Sequence, residues 1–173
     1  MNATDILIDA AHRPADQARL IIDGLSPKEA GTMPGGRGNS ITWLIWHAGR
    51  QMDVQLSALT GAPTVWEDGQ WAGTLGIDRA ADDFGFGDTA DDVASLTTDN
   101  LDGLAQYLQA CTEALISYVG TLTEADLSEI IDRSYEPPVS RGTRLVSIID
   151  DAAVHLGQAA YVRGLNGSWR YPV

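Results

Sequence analysis

Asn39-Ser40-Ile41-Thr42-Trp43-Leu44-Ile45-Trp46-His47-Ala48-Gly49-Arg50 opens the clearest helical pattern in the chain. Asn39 or Ser40 is placed to cap it, Gly61 to stop it, and Pro63 follows just beyond. At about 100° per residue, Ile41, Ile45, Ala48, Met52, Leu56 and Leu59 fall on one stripe, the pattern of a helix that faces a core. His47 lies at the margin of that stripe, in a row with Gln51, Val54 and Ala58. Arg50 falls on the polar side, and Asp53 on a different side from His47.

Working outward, residues 4–24 read as a first helix capped by Thr4, with Ile6, Leu7, Ala10, Ala11, Ala18, Leu20 and Ile21 as apolar positions and Pro14 as a kink point. Ser26-Pro27-Lys28-Glu29 has the form of a capping box with proline at the first helical position. Met33-Pro34-Gly35-Gly36-Arg37-Gly38 is a loop by composition. A third long helix spans about 99–119, carrying Leu101, Leu104, Ala105, Leu108, Cys111, Leu115 and Val119, and Thr123-Glu124-Ala125-Asp126 adds a turn. Pro137 and Pro138 forbid helix until Arg141-Gly142-Thr143, after which a fourth helix with Leu145, Ile149, Ala152, Leu156 and Ala159 on its core stripe runs to Leu165 and stops at Asn166-Gly167.

Residues 62–98 are rich in Gly, Asp and Thr and carry Trp66 and Trp71 without sustained periodicity. So long a connection inside a compact domain implies a crossover with short helical pieces or a lid near a site. With four amphipathic helices of bundle length and no convincing period-2 run, the expected fold class is all-α, a four-helix bundle with a long crossover connection, in one domain over 1–173.

Composition narrows the function. The 173 residues are 44% hydrophobic, enough for one sizeable core, and the formal charge of −13 argues against nucleic acid or an anionic membrane as partner. No stretch is long and apolar enough for a membrane helix, and Met1-Asn2-Ala3-Thr4-Asp5 lacks the features of a secretory signal, so a cytoplasmic location is expected. Cys111 is the single cysteine, which excludes an intramolecular disulfide and any zinc site built on several thiolates. It falls in an apolar stripe and reads as core. Between Glu67 and Asp102 there are ten acidic residues and one basic residue, Arg79, with no EF-hand spacing, and the segment reads as a solvated acidic surface.

The chain has three histidines. His12, beside Arg13 and Pro14, reads as a surface residue. On the fourth helix Asp151 and His155 lie one turn apart along the margin of the core stripe, while Asp150 points elsewhere. An acidic residue and a histidine at that spacing can converge on one ion, and His47 from a neighbouring helix would complete three ligands, leaving a position open. From spacing alone the commoner arrangement is a plain Asp151–His155 hydrogen bond, and the metal site is the rarer one.

The wording around these positions carries more. Residues 39–50 together with Asp150-Asp151-Ala152-Ala153-Val154-His155-Leu156-Gly157-Gln158-Ala159-Ala160-Tyr161-Val162-Arg163-Gly164 resemble the DinB-like superfamily of metal-binding four-helix proteins. Within it, the chain is similar to the metal domain of mycothiol-dependent maleylpyruvate isomerase, in order and over nearly its whole length. The resemblance implies a bundle with one crossover and a divalent metal, zinc or nickel, held by His47, Asp151 and His155. Many members carry histidine at the Asp151 place; the mycothiol-linked branch carries an acidic residue there, a glutamate one methylene longer.

Further candidates surround this set. Gln158 lies near the metal row, placed to bond a ligand carboxylate or substrate. Arg163, on the core axis at the helix end, is favoured over Arg50 for gripping an acidic substrate through a two-point fork. Gly157 in a helix interior costs about 1 kcal/mol relative to alanine, which a closely approaching element would compensate, or it is a plain surface glycine. Trp43 and Trp46 read as aromatic packing or as pocket walls.

The expected function is a metal-dependent enzyme of the thiol S-transferase or isomerase type, acting on a small electrophile with mycothiol as the thiol that the resemblance implies. The alternatives are a hydrolase using metal-bound water, for which no general base stands out, and a non-catalytic bundle that binds metal or a small ligand or pairs as a homodimer.

Overall fold

Asn2, not Thr4, caps the first helix. Its side chain accepts from the Asp5 amide at 2.8 Å while Asp5 bonds back to the Asn2 amide, a reciprocal capping box. The computed structural model describes residues 1–165 and 169–171. Helix α1 (Ala3–Ile22) continues through Pro14, and α2 (Pro27–Ala30) carries the Ser26/Glu29 capping box. A 3-10 turn (Pro34–Gly36) leads to α3 (Ile41–Thr60), capped by the Ser40 hydroxyl on the Trp43 amide at 3.1 Å and ended by Gly61 in the left-handed conformation.

The connection after α3 holds three short helices: α4 (Val65–Asp68), α5 (Trp71–Leu75) and α6 (Ala90–Ser95). Then come α7 (Leu101–Val119), with Asn100 as cap, and α8 (Glu124–Leu127), which is the anticipated extra turn. An antiparallel pair that the sequence does not announce follows, β1 (Ile130–Asp132) and β2 (Val139–Ser140). Strands of three and two residues are too short to show alternation. The last helix, α9 (Arg141–Leu165), has its anticipated stop at Asn166-Gly167 outside the described residues.

The four long helices close a ring: α1 packs on α7 and α9, and α3 packs on the same two. Every position assigned above to the core stripes of α7 and α9 is buried, the signature of an all-α bundle in which each helix turns one face inward. In α1 the expectation is only partly met, because Ile6 and Leu20 face solvent while Ala11, Ala18 and Ile21 are buried. Helix α3 departs furthest from an amphipathic helix, since every residue from Ile41 to Asp53 is buried. The bundle covers its apolar stripe, and the connection α4–α6 lies over much of the rest. Helical phase referred to one core cannot reveal a second cover.

Among the described residues, no helix is long and apolar enough to cross a membrane.

Candidate metal centre

Two adjacent helices bring His47, Asp151 and His155 together. One ligand atom from each lies within 4.8 Å of the others. His47 Nε2 is 3.8 Å from Asp151 Oδ2 and His155 Nε2 is 3.6 Å from Asp151 Oδ1, both beyond hydrogen-bond length. The two imidazoles meet edge to face with centroids 4.5 Å apart.

The partners of the far ring nitrogens decide the chemistry. His47 Nδ1 bonds the Phe84 carbonyl, and His155 Nδ1 bonds Gln158 Oε1 at 3.1 Å. A carbonyl oxygen only accepts, so in each neutral ring the proton is on Nδ1 and the lone pair is on Nε2. Both lone pairs then face a carboxylate. The shielded oxygen of that carboxylate, Asp151 Oδ2, has no hydrogen-bond partner among the described residues.

Burial pushes the His47 imidazole below its ordinary pKa, outweighing the Phe84 carbonyl that favours the charged ring. Burial alone would raise the Asp151 carboxyl, but His155 and His47 hold it below the ordinary carboxylate value. With both rings neutral, the cluster contains an anion and two acceptors, with no donor between them among the described residues. Such a set repels itself unless a cation or a proton joins it.

The residues fit a divalent ion. Tetrahedral zinc with nitrogen and oxygen ligands at ~2.0–2.1 Å sets neighbouring donors about 3.3 Å apart. The histidine–carboxylate separations of 3.8 and 3.6 Å are near that spacing, and the set as a whole, within 4.8 Å, closes on an ion by side-chain adjustment of about 1.5 Å or less. Hydrogen bonds from the outer ring nitrogens to carbonyl oxygens are the usual way a protein fixes ligand tautomers. The side chain of Asp151 is 42% exposed while that of His47 is 9% exposed, so the cluster is walled on the α3 side and open on the α9 side.

The connection between α3 and α7 forms that wall. Trp43 stacks on His47 at 4.6 Å and donates its indole N–H to Asp88 at 2.8 Å. Arg79 grips both oxygens of Asp88 and one of Asp83, so these acids anchor the loop that carries the Phe84 carbonyl rather than forming a plain solvated surface. Gly85, at φ +82°, is required: a Cβ there would lie 2.9 Å from the Trp46 ring and 3.0 Å from the Trp43 ring.

Arg50 is not on a polar face. It is fully buried, donating to Asp53 and Tyr107 at 3.0 Å each and to the carbonyls of Asp83 and Ala81, with its guanidinium 4.9 Å from the Trp66 ring centroid. Asp53 in turn accepts the first amides of α4, from Val65 at 2.7 Å and Trp66 at 2.9 Å. This buried network fastens the connection to α3 and leaves neither residue for a substrate.

Arg163, the favoured substrate grip, donates to the Asp23 carbonyl and lies 5.0 Å from the Trp169 ring, two helical turns beyond His155. Its visible role is to tie α9 to the end of α1. Gln158 bonds a member of the candidate set, as the sequence allowed, but it is His155 rather than the carboxylate. Asp150 and His12 are exposed and Cys111 is buried, all as expected. Among the described residues nothing lies within 4 Å of a Cβ built on Gly157, so no close approach accounts for it and it is a surface glycine. The sequence reading missed the Phe84 carbonyl, and a backbone group in a loop carries no side-chain signal.

Fold and site together define a helical-bundle protein with an open centre of two histidines and one carboxylate. The chain belongs to the DinB superfamily, whose model matches residues 11–159. It is also similar to a solved structure described as the conserved protein of locus from Enterococcus faecalis, with a TM-score of 0.86 and 34% identity over 95% of this chain and 97% of that one. No curated protein matches the sequence.

Proposed function

We propose that this protein is a metal-dependent enzyme in which His47, Asp151 and His155 hold one divalent cation, zinc or nickel, and which activates a low-molecular-weight thiol, mycothiol, against a small electrophile. The observation that carries the metal is the cluster of acceptors without a donor: two Nε2 lone pairs and a carboxylate whose shielded oxygen is unpartnered. The thiol follows the likeness of residues 39–50 and 150–164 to the mycothiol-linked branch.

When bound, a divalent cation supplies Lewis acidity that lowers the pKa of a thiol or water presented to it. The chain's own residues do the rest. Phe84 and Gln158 keep both rings in the ligating tautomer, Asp151 contributes the negative charge, and the stacked Trp43 fixes the plane of His47. Three protein ligands leave a position for the reactant, the composition of a catalytic rather than a closed structural site. For a water-activating hydrolase, the buried acid Asp53 is no general base, because it is fully committed to Arg50, Tyr107 and α4.

Elemental analysis of protein purified without a metal-binding tag tests the site. Roughly one ion per chain is expected, with loss of the ion in His155→Ala; retention of full metal by that variant would overturn the ligand assignment. Metal-loaded protein should then consume mycothiol in the presence of one or more of a panel of electrophiles. One ion per chain without any thiol consumption would leave a binding bundle and refute the enzyme.

A further inference from the structure

The side-chain rows that carry the three ligands run past them. On α9 the phase of Asp151 recurs within about 20° at Arg144, seven residues earlier. On α3 the row of His47 continues through Gln51 and Val54. Since α3 and α9 are packed together, these rows border a common groove, a cavity of about 340 Å³ lined by Gln51, Val54, Gln55, Phe84, Phe86 and Arg144. It adjoins the metal ligands: Gln51 is one turn from His47, and the Phe84 ring centroid is 6.2 Å from that of His47.

The groove has two chemistries. Its polar side is a directed chain of hydrogen bonds, from Arg144 to Gln55 Oε1 at 3.3 Å, from Gln55 to Gln51 Oε1 at 2.7 Å, and from Gln51 to the Ile148 carbonyl at 3.0 Å. The chain begins at Arg144, whose Cα lies about 10 Å along α9 from that of Asp151 at ~1.5 Å per residue. The apolar side is Val54, Phe84 and Phe86. Phe86 is 88% exposed, held at the groove by a turn whose glycines, Gly85 and Gly87, have φ of +82° and +86°. An aromatic ring left in water beside a cavity gains from an apolar ligand that covers it.

Arg144 is not saturated. Beyond Gln55 it makes one hydrogen bond among the described residues, to Asp132 Oδ2 at 3.2 Å, and both contacts are long for bonds assisted by charge. Of the five N–H donors of a guanidinium, these use two. The remaining donors can meet an anion.

We propose that this groove is the substrate site and that it takes a small carboxylate: the anion on Arg144, an apolar body along Val54, Phe84 and Phe86, and the reacting end at His47, Asp151 and His155. Placement of the reacting end rests on the metal reading above; the anion end does not. Mycothiol has no carboxylate, so with that thiol the anion belongs to the electrophile; a carboxylate on the thiol would mean that the thiol is a different one.

Two probe series separate these sources. Cobalt-loaded protein is titrated with ω-mercaptocarboxylic acids of graded length against the matching ω-mercaptoalcohols, and with phenylalkanoic acids against the matching phenylalkanols. Calorimetry reads affinity, and cobalt absorption reads arrival of sulfur. In at least one series the acid should bind about tenfold tighter than the alcohol, the scale of one charge-assisted bond. Arg144→Met should bring that ratio to about one without moving the alcohol, Asp132→Asn should widen it by removing a competing carboxylate, and Phe86→Ala should weaken acid and alcohol alike. Arg144→Gln, which keeps hydrogen-bonding capacity toward Gln55 and Asp132, replaces the methionine variant should that one fail to fold.

A preference in the phenyl series assigns the carboxylate to the electrophile, and a preference in the thiol series assigns it to the thiol and replaces mycothiol by a thiol acid. Equal affinities of acid and alcohol in both series, or a preference that survives both Arg144 variants, overturn the proposal. If no thiol changes the cobalt spectrum while the acids keep their advantage, the thiol reading fails and the anion groove stands.

Discussion

Replacing Asp53 by alanine would withdraw a buried anion from beneath the connection that walls the metal centre, and the structure sets the scale of the loss. The carboxylate accepts from the Val65 amide at 2.7 Å, the Trp66 amide and the Tyr107 hydroxyl at 2.9 Å each, and Arg50 at 3.0 Å. Without it, the fully buried Arg50 keeps only neutral partners among its hydrogen bonds, and two amides at the start of α4 are orphaned. Breaking a buried ion pair from one side costs about 3–5 kcal/mol, and each orphaned amide ~1–3 kcal/mol before relaxation. With partial relaxation the expected loss is about 5 kcal/mol, a large share of the ~5–15 kcal/mol that holds a domain together. At ~2–4 °C per kcal/mol for a chain of this size, the thermal midpoint falls by roughly 10–20 °C. Asp53→Asn keeps the volume and one acceptor, and should lose less. Circular dichroism melts of the wild type and both variants give the stability, and metal titration below the transition gives the second readout. Because the Phe84 carbonyl that fixes the His47 tautomer hangs from the same connection, metal affinity should fall in Asp53→Ala even where the helices stay folded. A loss under about 1 kcal/mol, or unchanged metal affinity in a clearly destabilised variant, would refute the idea that this network anchors the wall of the site.

Three further outcomes follow from the geometry. Gln158→Ala removes the acceptor of His155 Nδ1–H and should weaken metal binding about 10–100-fold while keeping the same stoichiometry, as read by competition with a chelator. Gly157→Ala should stabilise the protein by about 1 kcal/mol in urea denaturation, because the added methyl meets nothing within 4 Å in a helix interior; a destabilised variant would mean that the helix face is covered by something. Glu29, Asp92 and Asp126 are held below the ordinary carboxylate range, each first by the hydroxyl of its capping residue and then by that residue's amide. A carboxyl depressed in the folded state adds stability above its unfolded value, so the part these caps contribute should be level above about pH 5 and decline as pH falls through 4 and below. This comes on top of the decline from about pH 6.5 that the buried His47 adds as its unfolded form takes up a proton. Denaturation of His155→Ala between pH 6 and 3 reads this without metal release, and flat stability to pH 3 would remove these caps from the account.

Much of the site was legible in the sequence because helices have a fixed phase. Asp151 and His155 share a face by spacing alone, Asp150 is turned away, and His47 sits at the edge of a stripe whose every other member is apolar. The same rule placed Arg144 in the Asp151 row, where the sequence reading passed over it for Arg163. Guanidiniums look alike in a string, and both of these keep unused donors; only the packing shows that Arg144 lines the cavity next to the histidines while Arg163 is tied to the end of α1. Caps and stops were likewise local: Ser40, Gly61 and the Ser26/Glu29 pair act through neighbours within a few residues.

What the sequence by itself determined was therefore whatever is set within one helix: an all-α chain, the core stripes of α3, α7 and α9, and two of the three candidate ligands on one row. Tertiary structure alone decided what depends on residues distant along the chain. It put His47 across from Asp151, laid residues 62–98 over the outer side of α3 so that Arg50 and Asp53 became buried, and brought the Phe84 carbonyl to His47. The reason is physical. Helical periodicity reports a contrast between one apolar side and water, and a segment that folds back over the polar side by hydrogen bonding to buried charge leaves no periodic trace.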